Sequence, residues 1–256
     1  MQKVSAYIIT KNSQAHLYKA LESIQWADEI VIVDDFSCDK TCEIAAHFKA
    51  KIVEHKFENF GAQRNFALTC LTYDWVLCLD SDECISAELK IEILQALKNP
   101  TADIYLAPRK TFFINRWIMH SGWYPDYRHP VLFNKKKAQY KNQLVHEDID
   151  YKGERKQYFS GDILHYSYDN VEQFIKKSDQ YSGLSAQQMF ARGKRAKIYN
   201  FIFNPLNMFL KMFIFKRGFL DKKTGFILAM LYAYFYTLMK YIKLWQLEQN
   251  RKDKNA

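Results

Sequence analysis

Short apolar runs alternate with segments of helical spacing over residues 4–98, and this alternation constrains the fold more than any other feature of the sequence. The predicted strands cover residues 4–9, 29–33, 51–55 and 75–79, and a helix is predicted after each of them. Helical crossovers between consecutive strands give right-handed βαβ units and parallel strand pairing. We therefore predict an α/β fold built on a parallel sheet.

The rhythm changes after residue 104. Strand-like segments at 104–109, 131–133, 138–141 and 157–165 follow one another without predicted helices between them. This pattern predicts that the second half of the sheet is mixed or antiparallel. From Asn170 onward the sequence is predicted to be helical, with Asn204 and Pro205 as the cap and first residue of one helix and Thr224 preceding another.

Basic residues are concentrated at the end of the chain. Residues 192–256 contain fourteen Lys or Arg and three acidic residues, a net charge of +11, which leaves −2 of the total +9 for residues 1–191. A basic, aromatic-rich helical segment suits an anionic membrane surface, and nucleic acid is the rival partner. We predict a catalytic domain at 1–168 and a helical extension at 169–256.

Polar residues follow three of the predicted strands. Because the carboxyl ends of parallel strands meet at one edge of a sheet, where ligands bind in open α/β folds, these side chains are expected to line one cleft. They are Thr10, Asn12, Asp34, Asp35, Asp80 and Asp82. Two carboxylates as close as Asp80 and Asp82 repel each other. A hard divalent cation bound between this pair and an anionic ligand would offset the repulsion. Turn formation and helix capping are the alternative explanation for the same residue types.

Several ordered motifs resemble those of the GT-A family 2 glycosyltransferases. They are residues 9–12, 32–39, 63–65 and 79–82, read as Ile-Thr-Lys-Asn, Ile-Val-Asp-Asp-Phe-Ser-Cys-Asp, Gln-Arg-Asn and Leu-Asp-Ser-Asp. The segment Gly-Trp-Tyr-Pro-Asp-Tyr at 122–127, followed by 131–133, 145–147 and the tail motif at 216–221, is similar to the branch that adds glucose to heptose in the inner core of bacterial lipopolysaccharide or lipooligosaccharide. Ser13 departs from the pattern, since many relatives carry glutamate there.

This resemblance implies a nucleotide-diphospho-sugar transferase fold, a Rossmann-like mixed sheet flanked by helices. It also implies a bound Mg²⁺ or Mn²⁺ that neutralises the diphosphate leaving group. By the same resemblance, Asp82 is the first metal ligand, Asp80 is the second ligand or a ribose contact, and His165 completes the metal site. A buried structural histidine is the alternative for His165.

The resemblance further assigns contacts to donor and acceptor. The expected donor-binding residues are Thr10, Asn12, Asp34, Asp35, Gln63, Arg64, Asp80, Ser81 and Arg128. Glu147 is the predicted general base, with Asp148 as the alternative, because a carboxylate suits removal of the acceptor hydroxyl proton. Trp123 and Tyr124 are predicted to stack on an acceptor sugar, although such rings also pack in cores.

The predicted activity is inverting transfer of a hexose, with glucose from UDP-glucose as the first choice, to a heptose of the lipopolysaccharide or lipooligosaccharide core. The alternatives are a family 2 transferase acting on another surface glycan or lipid carrier, and a non-catalytic nucleotide-sugar or nucleic-acid binder. A nucleotidyltransferase is disfavoured, because the turn at residues 10–13 is not a glycine-rich phosphate loop.

The expected location is cytoplasmic, with peripheral association to the inner membrane. The first apolar run is short, which predicts no secretory signal, and five cysteines without a C-x-x-C pair predict reduced thiols. The apolar stretch 226–239 has fourteen residues, fewer than the about 20 that a membrane span needs. We expect this stretch to pack on the core, or to lie with residues 201–215 in the membrane interface, near a lipid-linked oligosaccharide acceptor. No nucleic-acid partner is expected.

Overall fold

The computed structural model describes residues 1–127, 130–140, 149–151 and 155–253. The chain forms two compact units. The first unit consists of Met1–Lys110 and Pro125–Ser167, and the second of Thr111–Tyr124 and Tyr168–Ala256. The division into a catalytic domain and an extension at residue 168 stays a prediction about function.

The start of the first unit follows the predicted alternation. Its elements are β1 (Val4–Thr10), α1 (Leu17–Ile24), β2 (Glu29–Asp34), α2 (Thr41–His47), β3 (Lys51–Glu54), α3 (Phe60–Thr69), β4 (Trp75–Asp80), β5 (Glu83–Ile85) and α4 (Ala87–Lys98). Strand β1 pairs in parallel with β2 and β4, and β2 pairs in parallel with β3. The predicted parallel sheet is therefore confirmed for this half.

The second half of the sheet combines antiparallel and parallel strand pairs. The later elements are β6 (Ile104–Leu106), β7 (Arg109–Phe113), β8 (Arg116–Trp117), β9 (Pro130–Asn134), β10 (Ala138–Tyr140), β11 (Ile149–Tyr151), β12 (Lys156–Tyr158) and β13 (Ile163–Tyr168). Strand β9 is antiparallel to both β4 and β6, and β12 is parallel to β6. Among the described residues, one seven-stranded sheet has the order β12-β6-β9-β4-β1-β2-β3. The predicted mixed character of the second half is confirmed.

The sheet is covered on both faces. Alternate residues of β1 belong to two different buried clusters: Ala6 and Ile8 pack with residues of α1 and α4, while Tyr7 and Ile9 pack with residues that include Ala67 of α3. Each fully buried Ile or Leu contributes about 1.5–3 kcal/mol relative to exposure. Burial of both faces explains why β1 and β4 are apolar throughout rather than alternating.

The predicted strand at 157–165 is wrong as a single element, because the chain breaks between β12 and β13. A Cβ atom on Gly161 would lie 2.4 Å from the backbone nitrogen of Leu89. The carboxylate of Glu92 accepts the backbone N–H of Ser160 at 2.9 Å. The chain therefore leaves the sheet to contact α4 at this point.

Helices form most of the second unit. They are α5 (Val171–Ala191), α6 (Ile198–Leu210) with its π-helical continuation Lys211–Phe215, a 3₁₀ turn (Gly218–Asp221), α7 (Lys222–Leu231), the π-helical segment Tyr232–Leu238 and α8 (Met239–Asp253). The side chain of Asn170 caps α5 by accepting the N–H of Gln173 at 2.8 Å. Their buried core includes Phe113, Phe174 and Leu228.

Two predicted helix starts in this unit are wrong. Pro205 lies inside α6, which begins at Ile198, and Thr224 lies inside α7. The amide oxygen of Asn200 accepts the N–H of Lys197 at 2.8 Å, so the start of α6 is fixed upstream of the proline. Pro205 is buried, and packing around it holds a helix that lacks one backbone donor.

By length and composition, two helical stretches of the described residues could cross a membrane: Ile198–Phe215 and Gly218–Arg251. The length argument against a span is therefore wrong, because the stretch 226–239 is part of a longer continuous helix. Core helices of soluble proteins share these properties, so a span is not established. Leu228, Ala229, Ala233 and Thr237 are buried, so one side of the stretch 226–239 packs inside the second unit.

Candidate active site

Three neighbouring strands of the first unit end at the same edge of the sheet. Thr10 of β1 is in register with Asp34 of β2, and Ile9 of β1 is in register with Asp80 of β4. The backbone N–H of Asp35 donates to the carbonyl oxygen of Thr10 at 2.9 Å. The structure therefore brings the polar residues that follow β1, β2 and β4 to one place, as the strand pattern predicts.

Asn12 and Asp34 join the loops that follow β1 and β2. Asn12 has a left-handed backbone (φ 50°), a conformation that Asn tolerates better than most residues. Its amide oxygen accepts the N–H of Cys38 at 2.9 Å. The carboxylate of Asp34, which is buried, accepts the N–H and the hydroxyl of Ser37 at 2.7 and 2.5 Å. These residues shape the loops at the edge.

Asp35 is held by a cation and a backbone donor. Lys11 Nζ lies 2.6 Å from Asp35 Oδ2, and the N–H of Phe57 donates to Oδ1 at 3.0 Å. These hydrogen bonds, with that of Lys11 the stronger, lower the pKa of Asp35. The adjacent hydroxyl of Thr10 is buried and has no hydrogen-bond partner among the described residues. The edge thus combines a fixed anion with an unsatisfied hydroxyl.

Helix α3 supplies Gln63 and Arg64, with Asn59 as its N-cap. Gln63 is buried, and its amide bonds both the ring Nδ1 and the carbonyl oxygen of His55, at 2.8 and 3.0 Å. It therefore ties α3 to the end of β3. Arg64, whose side chain is 5% exposed, places Nη2 2.6 Å from Asp80 Oδ1. Arg64 thus extends from helix α3 to the carboxylate at the end of β4.

A buried polar cluster holds Arg64 in this orientation. Its Nη1 donates to Cys78 Sγ at 3.0 Å, Cys78 donates to the Tyr7 hydroxyl at 3.0 Å, and Tyr7 donates to the Tyr140 hydroxyl at 2.9 Å. Burial raises the pKa of Cys78 and of both tyrosines, so the three groups stay neutral at pH 7. No sequence motif marks this cluster, because its members are far apart in the chain.

The turn between β4 and β5 rests on a second buried pair. Arg109 Nε lies 2.6 Å from Glu83 Oε1, and these side chains are 8% and 1% exposed. The other oxygen of Glu83 accepts the N–H of Asp80 at 3.1 Å. Burial raises the pKa of Asp80, but Arg64 and Arg109 outweigh it, so the net pKa is lowered. Asp80 is therefore an anion that pairs directly with Arg64 and is further stabilised by the charge of Arg109.

Asp82 faces His165 across the pairing of β5 with β13. His165 is in register with Glu83, the N–H of Tyr166 donates to the Asp82 carbonyl oxygen at 2.9 Å, and His165 Nε2 lies 3.6 Å from Asp82 Oδ1. Burial lowers the pKa of His165, but the Asp82 carboxylate raises it more. The Ser81 hydroxyl lies 2.9 Å from the hydroxyl of Ser13.

The structure brings together two of the three predicted metal ligands, Asp82 and His165, while Asp80 faces Arg64. Within the described part of the chain, no group of three or more His, Cys, Asp or Glu side chains could hold a metal ion. Mg²⁺ is commonly held by one or two protein ligands together with substrate phosphates and water. Asp82 and His165 fit that mode of binding, and metal binding stays a prediction.

Five predicted site residues do not add to this geometry. Arg128, Glu147 and Asp148 lie outside the described residues. Trp123 and Tyr124 belong to the second unit, where the Trp123 ring lies 6.1 Å from that of Tyr232 and the Tyr124 ring lies 5.4 Å from that of Trp117. Their rings contact other aromatic side chains of that unit, and their acceptor role stays a prediction.

Comparison with known proteins identifies the family. Residues 5–160 match the family described as Glycosyl transferase family 2. An uncharacterized glycosyltransferase of Rickettsia felis is 30% identical over 274 residues, which cover 100% of this chain and 93% of that protein. The lipopolysaccharide core biosynthesis glycosyltransferase LpsC of Rhizobium meliloti is 29% identical and covers 90% of each chain.

The solved structure of S. aureus TarS 1-349 in complex with UDP-GlcNAc is also similar. It is 15% identical, covers 98% of this chain and 92% of its own, and has a TM-score of 0.48. This resemblance is too low to assign a ligand here. The predicted GT-A fold class is confirmed by the family match and by the mixed sheet flanked by helices. The chain belongs to glycosyl transferase family 2.

Proposed function

We propose that this protein is an inverting, metal-dependent hexosyltransferase that moves glucose from UDP-glucose to a heptose of the lipopolysaccharide or lipooligosaccharide core. The observation that carries the proposal is the placement of Asp82 beside His165 at the sheet edge, with Asp80 neutralised by arginine. The similarity to a lipopolysaccharide core glycosyltransferase supports the acceptor class.

In this reaction the acceptor oxygen attacks the anomeric carbon from the face opposite the diphosphate. One carbon–oxygen bond forms, the bond from the anomeric carbon to the diphosphate oxygen breaks, and UDP leaves with the bonding electron pair. The proton of the acceptor hydroxyl goes to a carboxylate base. Asp82 and His165 would hold a Mg²⁺ or Mn²⁺, which would supply positive charge to the leaving diphosphate.

The residues at the edge divide into two roles. Asp82 and His165 would hold the cation, because they face each other and neither is buried completely. Asp80, with Arg64 and Arg109 beside it, would accept a ribose hydroxyl hydrogen bond and keep the local charge balanced. Thr10, whose hydroxyl has no hydrogen-bond partner within the described part of the chain, and the loop residue Asn12 would contact the nucleoside.

The general base is proposed from the family resemblance. Glu147 has this role and Asp148 is its alternative; a nearby carboxylate is required because a neutral hydroxyl is a weak nucleophile. The acceptor is proposed to be a lipid-linked oligosaccharide. The enzyme would then act from the cytoplasmic side, as a peripheral protein of the inner membrane.

The test combines a cellular and a purified assay. Mass spectrometry of the surface glycolipid, with and without the gene, is expected to show loss of one hexose. The purified protein is expected to release UDP from UDP-glucose when Mn²⁺ or Mg²⁺ and the truncated glycolipid are both present.

The control variants separate the site from the fold. Asp82→Asn is expected to abolish UDP release, while Asp74→Asn, at an exposed pair with Lys136, is expected to retain it. An unchanged glycolipid would contradict the acceptor assignment. Full activity of Asp82→Asn, or activity without a divalent cation, would contradict the site. Binding of the donor without turnover would indicate a non-catalytic binder.

A further inference from the structure

An exposed apolar stripe runs along α6 and its continuation to Phe215. Its largest members are Ile198, Ile202, Phe203, Leu206 and Phe215, which are 79%, 60%, 61%, 51% and 75% exposed. Ile198, Ile202 and Leu206 are four residues apart, so they lie on one side of the helix. We call this stripe the α6 face. Exposed apolar side chains grouped along one helix in this way mark an interaction site, unlike isolated exposed residues.

The opposite side of α6 belongs to the interior of the second unit. Asn200, Pro205 and Met212 are buried, and α6 packs against the segment Tyr232–Leu238. Only the other side of this helix is therefore available to lipid. Its exposed side can enter the boundary between head groups and acyl chains while the axis lies in the plane of the membrane.

Cations border the α6 face at both ends. Residues 192–220 contain seven Lys or Arg and no Asp or Glu. All seven are exposed: Arg192, Lys194, Arg195 and Lys197 precede the helix, and Lys211, Lys216 and Arg217 lie at its far end. A positively charged border around an apolar stripe is complementary to anionic head groups above a hydrocarbon layer.

We propose that the α6 face docks on the surface of an anionic phospholipid bilayer. Charge selects this occupant over a second copy of the chain, because a symmetric contact would bring two sets of seven cations together. Nucleic acid would use the cations but would leave the aliphatic side chains Ile198, Ile202 and Leu206 without a partner. The inference rests on the proposed function in one respect, because docking would bring the site to a lipid-linked acceptor. Binding to the bilayer itself requires neither the acceptor nor the UDP-sugar donor.

Vesicle sedimentation of the full-length protein tests this inference. The vesicles contain phosphatidylcholine alone or with about one third phosphatidylglycerol. Wild-type protein is expected to bind the anionic vesicles and to be released in part by high salt. The triple variant Ile202→Ser, Phe203→Ser, Leu206→Ser is expected to bind at least about tenfold more weakly, since its apolar contacts are lost.

A charge variant and a matched control complete the design. Lys194→Gln, Arg195→Gln, Lys197→Gln is expected to weaken binding to anionic vesicles roughly 100-fold, because each cation contributes about fivefold. Ile91→Ser with Tyr158→Ser removes two side chains that are 57% and 63% exposed in the first unit, and it is expected to bind like wild type. Circular dichroism checks that every variant is folded.

Three outcomes would overturn the inference. They are unchanged vesicle binding by the α6 variants, an equal loss in the control variant, and a concentration-dependent dimer, seen by sedimentation velocity, that the α6 substitutions abolish. An assay of UDP release with a detergent-solubilised acceptor separates failure of the docking inference from failure of the proposed transferase function. If the α6 variants lose vesicle binding but still release UDP, the α6 face serves docking and not catalysis. If neither wild type nor any variant releases UDP, the proposed function fails, but vesicle binding still tests the docking inference.

Discussion

Substitution of Arg109 by methionine tests how the turn that carries Asp80 and Asp82 is supported. The Arg109 side chain, 8% exposed, lies 2.6 Å from that of Glu83, which is 1% exposed. Glu83 in turn accepts the backbone N–H of Asp80. Arg109→Met leaves the Glu83 carboxylate buried without this partner, next to the turn that carries the proposed site residues.

The magnitude follows from burial. Removing one partner of a buried ion pair costs about 3–5 kcal/mol of unfolding free energy. With a denaturant dependence of about 3 kcal/mol per M, the urea midpoint should fall by roughly 1–1.7 M. Methionine keeps most of the aliphatic volume, so lost packing adds little. Urea unfolding followed by far-UV circular dichroism measures the shift.

An exposed pair of equal length supplies the control. Lys136 Nζ also lies 2.6 Å from Asp74, but these side chains are 70% and 45% exposed. Lys136→Met should cost about 0–1 kcal/mol, because water screens exposed charges. The double variant Glu83→Gln, Arg109→Met should recover part of the loss, since it removes the buried unpaired charge. Equal midpoints for the two single variants would refute the reasoning.

Three further predictions concern the base, pH dependence and a close helix contact. Glu147→Gln should lower turnover about 10²–10⁴-fold with donor affinity retained; the same loss in Asp148→Asn alone would move the role to that residue. Burial raises the pKa of Glu29, but hydrogen bonds to its carboxylate lower it more. Its stabilisation is therefore present above about pH 4.3 and is lost as pH falls through the lowered pKa. Glu29→Gln should therefore reduce the urea midpoint more at pH 7 than at acidic pH; equal losses would contradict this. Gly225→Ala would place a Cβ 1.9 Å from a backbone carbonyl oxygen and should lower the melting temperature, whereas Gly183→Ala, with 3.6 Å to its nearest neighbour, should not; equal melting temperatures would contradict the contact.

Local pattern was sufficient to predict the sheet edge. The runs that form β1, β2 and β4 are apolar because both faces of the sheet are covered, and their ends are marked by the first polar residues. Parallel pairing then places Asp34 beside Thr10 and Asp80 beside Ile9, at the same edge of the sheet, without any knowledge of tertiary contacts. The carboxylates at this edge were predictable for that reason.

The buried side-chain contacts that hold the residues of the sheet edge in place were not predictable. Glu83 and Arg109 are 26 residues apart, and Tyr7 and Tyr140 are 133 apart, so no periodicity connects them. The sequence predicts a donor contact for Arg64, but it does not reveal that this side chain is buried against Cys78. Pro205 shows the opposite failure, since a local start signal was overridden by packing inside α6.

We propose that this sheet edge binds a nucleoside diphosphate through a divalent cation held by Asp82. Calorimetric titration of UDP into the protein, with Mn²⁺ or with a chelator, tests it most directly. Wild-type protein and Asp74→Asn should bind UDP at least about tenfold more tightly with Mn²⁺, and Asp82→Asn should lose that difference. Equal UDP affinity with and without Mn²⁺ in the wild type, or an unchanged Mn²⁺ effect in Asp82→Asn, would contradict the account.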